Sequence, residues 1–289
     1  MMKGRAADAL VLLAALIWGV AFYFQKAAML HLGPLLFLGL RATIAAVALA
    51  PFAMREDRGS GNVVPIAVLG GLFFFVAAAI QQIGIVEATV TNTGFLTALY
   101  VVVTPFLVWL LKRQTPGAAI WIGATLAFAG TWALSGGSFA DYSRGDLLIA
   151  LSSVFWSCFI ITTGESGRYG RPLTYVSVQF TAVAILALSS ALLFETVSAE
   201  AIMNAIVPVM YVGLLSSAVT FAILAMALRH VPPARAAILL SFETVFAAIA
   251  GAIMLGERLH PVGWIGAALM FAAILVVQLG KRGHPPESG

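Results

Sequence analysis

The side chains that could do chemistry in this chain sit inside apolar runs, where a polar or charged group is costly and asks for a reason. Glu243 lies eight residues past Arg235 in the apolar stretch 232–255, about 12 Å along a helix axis. A carboxyl at that depth can bind a substrate ammonium or carry a coupling proton. Its plainer reading is a neutral acid bonded to a neighbouring helix. Arg41, seven residues into the stretch 34–54, could anchor a carboxylate. Its place near the end of that run favours an arginine that snorkels to the interface or pairs with Glu87. Trp18 and Trp156 each follow an aspartate, Asp8 and Asp146, by 10 residues. They stand about 15 Å into their runs, too deep for an interfacial aromatic belt. They read either as a pair lining a cavity or as core packing, and Phe22, at i+4 from Trp18, shares its face. Gln81, Gln82, Tyr100, Ser217 and Thr220 can hydrogen-bond the polar ends of a small solute or an adjacent helix. Gly19, Gly94, Gly123 and Gly266 read as points of close helix packing.

Bond-making chemistry finds little here. The chain has no G-x-x-x-x-G-K-[ST] loop for ATP and no H-E-x-x-H pair. Its histidines, His31, His230, His260 and His284, fall at the ends of apolar runs or in the tail. Ser152, Ser153, Ser157, Ser216 and Ser217 therefore lack a base at their depth. The one cysteine, Cys158, excludes an intrachain disulfide and a cysteine-built metal site. The expectation is no catalytic residue, no metal and no cofactor: reversible binding is what remains.

These residues need elements to position them, and composition says what kind. Of the 289 residues, 61% are hydrophobic and 10% charged, with mean hydropathy +1.01; a soluble domain is about 25% charged. The solvent for most of this chain is lipid. Ten apolar runs of spanning length follow: 6–27, 34–54, 63–86, 91–111, 117–135, 146–165, 172–194, 205–228, 232–255 and 261–280. Pro34, Pro65, Pro116, Pro172, Pro232 and Pro261 fall at span starts, where a missing N–H costs nothing. Pro105 lies inside span 4 and can kink it. A β-barrel is excluded, because the runs are long and do not alternate. The first run follows Lys3 and Arg5 as a signal peptide would, but it is long enough to span by itself and is read as span 1.

With a cytoplasmic N-terminus, twelve basic residues fall on that side: Lys3, Arg5, Arg55, Arg58, Lys112, Arg113, Arg168, Arg171, Arg229, Arg235, Lys281 and Arg282. Lys26, Arg144 and Arg258 fall opposite. That asymmetry predicts both termini in the cytoplasm. The net charge of +4 is scattered over span ends, so no nucleic acid is expected.

The chain also repeats itself. "WIGATLAFAG" at Trp121 returns as "WIGAALMFAA" at Trp264, with seven of ten positions identical. Asp8 and Asp146, Trp18 and Trp156, and Pro34 and Pro172 keep one common offset. Two copies of a five-span unit are expected, over 1–139 and 140–280, with a tail at 281–289. An odd span count inverts the second copy, the layout of many secondary transporters, which expose a midplane site to either side in turn. No pair of Gly- or Pro-broken helices falls at matching places, so side chains rather than unwound backbone are expected to make most of the site.

"LIWGVAF" at 16–22, "TNTGFLTALYVVVTPF" at 91–106, "AAILLSFETVFAAIAGAIMLGERL" at 236–259 and the two "WIGA" phrases resemble the EamA-type members of the drug/metabolite transporter superfamily. Within it the chain looks most like YddG-type amino-acid exporters. The resemblance covers nearly the whole chain. It implies an all-α polytopic membrane protein, ten helices in two inverted five-helix repeats around a central cavity lined by spans 1, 3, 4, 6, 8 and 9. Where the family usually has Glu-Pro, this chain has Glu243-Thr244, which puts a proline-dependent bend of span 9 in doubt. The implied activity is export of amino acids or similar metabolites across the inner membrane by alternating access, with protons as the optional coupling ion and a monomer as the working unit. Efflux of drugs or lipophilic cations, with Glu243 as counter-charge, is the alternative; a channel or a non-transporting scaffold is the alternative of another class.

Overall fold

The computed structural model describes residues 4–57, 59, 61–113, 115–134, 143–256 and 261–279. The expectations for Lys3, Arg58, Arg258, His260, the boundary at 139–140 and the tail 281–289 lie outside the described residues.

The described chain is helical: α1 (Gly4–Ala28), α2 (Pro34–Arg55), α3 (Val64–Gly84), α4 (Val90–Thr97), α5 (Tyr100–Lys112), α6 (Ala118–Leu134), α7 (Arg144–Ser166) and α8 (Pro172–Phe194). Then come α9 (Ala199–Asn204), α10 (Ile206–Met210), a π-helix over Tyr211–Val219, α11 (Thr220–Ala227), α12 (Pro233–Leu240), α13 (Glu243–Leu255) and α14 (Pro261–Leu279). Eight stretches are long and apolar enough to cross a membrane. α4 with α5, α10 through α11, and α12 with α13 each count as one of these. Ala118–Ala133 and Pro261–Val277 are shorter apolar helices. At 1.5 Å per residue the 17 residues of α6 reach about 25 Å, short of a hydrocarbon core of about 30 Å. The protein is thus an all-helical, multi-pass membrane protein.

Proline opens α2, α3, α8 and α12 within their first two residues, where its fixed φ suits the helix and its absent N–H is not missed. Ser143 and Asp146 form a reciprocal capping box at the start of α7. Two further caps come from far away in sequence. Glu195, just past α8, accepts from the Leu35 and Leu36 N–H groups at 2.8 Å each. Glu56, just past α2, accepts from the Leu173 and Thr174 N–H groups at 3.1 and 2.8 Å. Each helix carries the anion that satisfies the other's open, positively polarised N-terminus.

The packing follows the same exchange. α2 lies along α8 and α6 along α14. α3 packs on α7, as α1 packs on the span containing α11; α1 also packs on α13, as α7 packs on α4 and α5. The largest core cluster lies between the halves, around Phe74, Phe159, Tyr175, Phe180 and Leu224. Glycines allow the closest approaches. A Cβ at Gly19 would stand 2.6 Å from the Glu243 carbonyl oxygen, and one at Gly123 would stand 2.4 Å from a Val277 methyl.

Candidate functional site

Phe74 stands edge-on to Trp156, Phe159, Phe180 and Phe221, with ring centroids 5.1–5.7 Å apart, an arrangement aromatic rings favour. Beside this cluster is an internal space of about 450 Å³. Six residues singled out from sequence are in its wall: Trp18, Phe22, Gln81, Tyr100, Trp156 and Glu243. The two tryptophans are therefore cavity residues as well as members of the aromatic packing. Gln82, Ser217 and Thr220 are outside the wall. Gln82 donates to the Gln25 carbonyl at 3.4 Å and Thr220 Oγ1 to the Leu215 carbonyl at 2.8 Å, so both serve helix structure. Ser152, Ser153 and Ser157 likewise bond carbonyls of their own helix.

Glu243 is buried among α1, α4 and α5, and its Oε1 accepts from the Tyr100 hydroxyl at 2.7 Å. These two residues are 143 positions apart, the same separation as the duplicated tryptophan phrases. One falls in each of two stretches of the chain, and they meet in the cavity wall. The backbone before each is tightened in the same way. Leu99 bonds Leu96, Val101 bonds Ala98 and Val102 bonds Leu99; Phe242 bonds Leu239, Thr244 bonds Ser241 and Val245 bonds Phe242. All are i→i−3 bonds, a short 3₁₀ turn within an α-helix. Spans 4 and 9 are both interrupted, at Ala98–Leu99 and Ser241–Phe242, a feature that a search for Gly- or Pro-broken helices does not register. Neither break contains glycine or proline. In span 9, Ser241 Oγ takes the carbonyl of Ile238 and Thr244 Oγ1 that of Gly94, at 2.8 and 3.1 Å. Hydroxyls satisfy backbone groups there, with no proline after Glu243.

Arg41 departs furthest from its sequence reading. It neither snorkels nor pairs with Glu87. It is 4% exposed and in the cavity wall. Nε donates to Ser217 Oγ at 2.9 Å and Nη1 to Gln25 Oε1 at 3.3 Å. Glu87 instead accepts from the Gly145 N–H at 3.0 Å. Span 2 thus adds a cation to a wall expected from spans 1, 3, 4, 6, 8 and 9. Gln25, Thr97, Phe159, Ile160, Ser216 and Phe221 also line it without having been singled out for that role. The i+7 spacing of Gln25 from Trp18 was the available signal, since it continues the face of Trp18 and Phe22.

The π-helix Tyr211–Val219 brings Ser216 and Ser217 to this place. π segments often mark functional sites. Here the Ser216 carbonyl accepts from Trp18 Nε1 at 3.0 Å, while Ser217 holds Arg41. Trp156 Nε1 and Ser216 Oγ are buried with no hydrogen-bond partner among the described residues. At the ends of the bundle the polar pairs are closed. Arg235 and Asp8 form a buried two-pronged ion pair at 3.1 and 2.6 Å. Asn92 donates to Asp146 at 3.4 Å.

Comparison with known proteins agrees with this architecture. The sequence model of the EamA-like transporter family matches residues 5–136 and again 143–279. An uncharacterized transporter of Archaeoglobus fulgidus is 30% identical over 96% of this chain and 87% of its own. The threonine/homoserine exporter RhtA of Escherichia coli is 28% identical over 74% of this chain and 69% of its own. A solved crystal structure, 19% identical, superposes with a TM-score of 0.80 over 98% of this chain and 100% of that one, which shows the fold alone.

Proposed function

The chain belongs to the EamA-like transporter family, and from that premise we propose that it exports amino acids or similar small metabolites across the inner membrane by alternating access. The observation that carries this reading is the cavity: a largely aromatic space whose wall is drawn from both halves and holds two ionisable groups of opposite sign, Arg41 and Glu243. Such a wall suits a small solute with an apolar or amphipathic body and charged ends. The moving parts in this reading are two inverted five-span repeats, 1–139 and 140–280, with both termini cytoplasmic. The two family matches, the exchanged caps from Glu56 and Glu195, and the Tyr100–Glu243 meeting all support that division. Two related halves give two similar states, one open to each side. RhtA's name supports amino acids as the substrate class.

Efflux of lipophilic cations is the second reading, carried by Glu243 as counter-charge. Arg41 in the same wall opposes it, because a second cation would have to enter beside the first. The test is a proteoliposome assay with labelled L-threonine, L-leucine and L-phenylalanine against a cationic dye, with and without a pH step. Saturable uptake of an amino acid, accelerated by preloading the same amino acid, is the expected result. Dye uptake without amino-acid exchange moves the assignment to cation efflux; flux that does not saturate marks a channel. Glu243→Gln is expected to abolish any pH dependence of the exchange if Glu243 carries the coupling proton, and unchanged dependence removes that role.

A further inference from the structure

A guanidinium carries five N–H donors. The described structure gives Arg41 two acceptors, Ser217 Oγ and Gln25 Oε1, and a face-on ring, Phe74, 5.8 Å from the guanidinium carbon. All three are neutral. The described residues form two ion pairs, Arg235–Asp8 and Lys112–Glu165, and Arg41 is in neither. A buried cation held only by dipoles is costly and is stabilised when an anion reaches it. Arg41 is in the cavity wall with donors to spare. Two further groups of that wall are buried and unpartnered, Trp156 Nε1 and Ser216 Oγ. The indole N–H can only donate, and the serine hydroxyl is free to.

All three groups belong to residues of that one wall. Ser216 precedes the residue that holds Arg41, and the Phe74 ring lies within 6 Å of both the Arg41 guanidinium and the Trp156 ring. Three donor-bearing residues of one wall, two of them with no acceptor among the described residues and the third with N–H groups to spare, describe an oxyanion site with its oxyanion to come. We propose that Arg41, Trp156 Nε1–H and Ser216 Oγ–H bind the carboxylate of the transported solute, so that the substrate class is a monocarboxylate with a small apolar or amphipathic body, α-amino acids foremost. A single cation suits one negative charge better than the two of a phosphate. Glu243, whose Oε2 has no partner among the described residues, is then the receptor for the solute's ammonium end. This inference rests on the transport reading above and adds to it the group that is recognised.

The experiment is competition in proteoliposomes. Exchange of labelled L-threonine, L-leucine and L-phenylalanine is challenged with each unlabelled acid, its amide and inorganic phosphate. The acid is expected to compete at least roughly tenfold better than its amide, as loss of one charge-assisted contact implies, and phosphate not at all. Arg41→Gln is expected to erase the acid-over-amide preference, and Arg41→Lys to restore part of it. Trp156→Phe keeps the ring and removes only the N–H, and Ser216→Ala removes only the hydroxyl. Each is expected to narrow the preference several-fold at unchanged thermal stability, so a folding defect at Arg41 leaves the site testable. If the acids exchange but amides compete equally, or if all four variants keep the wild-type preference, this inference falls and the transport reading stands. If no acid in the panel is exchanged by the wild type, both fall. If phosphate competes as well as the acid, the site is a general oxyanion site and the carboxylate assignment is overturned.

Discussion

Trp18 and Trp156 each follow an aspartate by 10 residues, one in each stretch that the family model matches, yet one is satisfied and the other is not. Trp18 donates to the Ser216 carbonyl, which the π-helix of span 8 presents to it. Trp156 packs against α3, a continuous α-helix from Val64 to Gly84, and its N–H finds no partner among the described residues. Arg41 and Gln179, which keep the offset of Trp18 and Trp156, are a second such pair. Arg41 is held by Gln25 and Ser217 at the cavity; Gln179 is fully buried outside it, with neither end of its amide partnered among the described residues. Against this stand pairs that agree closely, such as the reciprocal caps of α2 and α8 and the matching turns before Tyr100 and Glu243. The comparison separates two kinds of information. What the copies share builds the frame; where they differ stand the groups proposed here to bind the solute.

The largest effect should come from breaking a shared position whose partners differ. Asp8 and Asp146 both open the first helix of their copy. Asp8 neutralises a buried arginine, whereas Asp146 meets a neutral asparagine and closes the capping box by accepting from the Ser143 N–H. Asp8→Ala strands Arg235 and is expected to cost about 3–5 kcal/mol. Asp146→Ala removes the reciprocal half of the capping box and is expected to cost about 1 kcal/mol. Unfolding of the two variants in detergent measures the difference. Adding Arg235→Met to Asp8→Ala should recover most of the loss, because the cost lies in the unpaired charge. Equal losses for both aspartates would remove the distinction between frame and exception at this end of the bundle.

Much of the frame could be read from the residues, and the reasons are physical. Span length, the basic residues at one set of ends and the repeated tryptophan phrases are properties of the chain laid out in one dimension. Glu243 stood out because a carboxylate in an apolar run is rare. Arg41 was misplaced because depth along a helix says how far a side chain must reach to water, and its face was the deciding quantity. That face turns toward Gln25 and Ser217, which only the packing of α1, α2 and span 8 brings together. The tightened turns at Ala98–Leu99 and Ser241–Phe242 carry no glycine or proline to announce them. The π-helix is equally silent, since an i→i+5 bond is a choice among partners that the sequence leaves equivalent. The roles of Glu56 and Glu195 appear only once α2 and α8 are known to lie side by side.

A smaller effect should sharpen the contrast between the tryptophans. Trp18→Phe leaves the Ser216 carbonyl without its donor and is expected to cost about 1–2 kcal/mol of stability. Trp156→Phe removes an N–H with no described partner, so its expected cost is near zero. The same variant should lose part of the carboxylate preference. Stability and recognition thus separate at one pair of equivalent residues. Thermal unfolding beside the acid-over-amide ratio reads both, and a Trp156→Phe variant as unstable as Trp18→Phe would place Trp156 in the frame.

The smallest effect is the most demanding of the repeat. Glu56→Gln and Glu195→Gln each keep one acceptor oxygen and lose the charge at a helix N-terminus. Each is expected to cost about 0.5–1 kcal/mol. The backbone part of the two costs should agree within a few tenths, because both carboxylates are half-buried at an end of the α2–α8 pair, and Glu56 should cost up to about 1 kcal/mol more because it also accepts from the Thr174 hydroxyl at 2.8 Å. The double variant should show the sum, since the caps sit at opposite ends of the two helices and share no partner. Added salt should shrink both costs alike, as these carboxylates are open enough to be screened. A large cost at one glutamate with none at the other would mean that the resemblance of the two caps is geometric without being energetic, and that the copies have diverged in their frame as well as in their site.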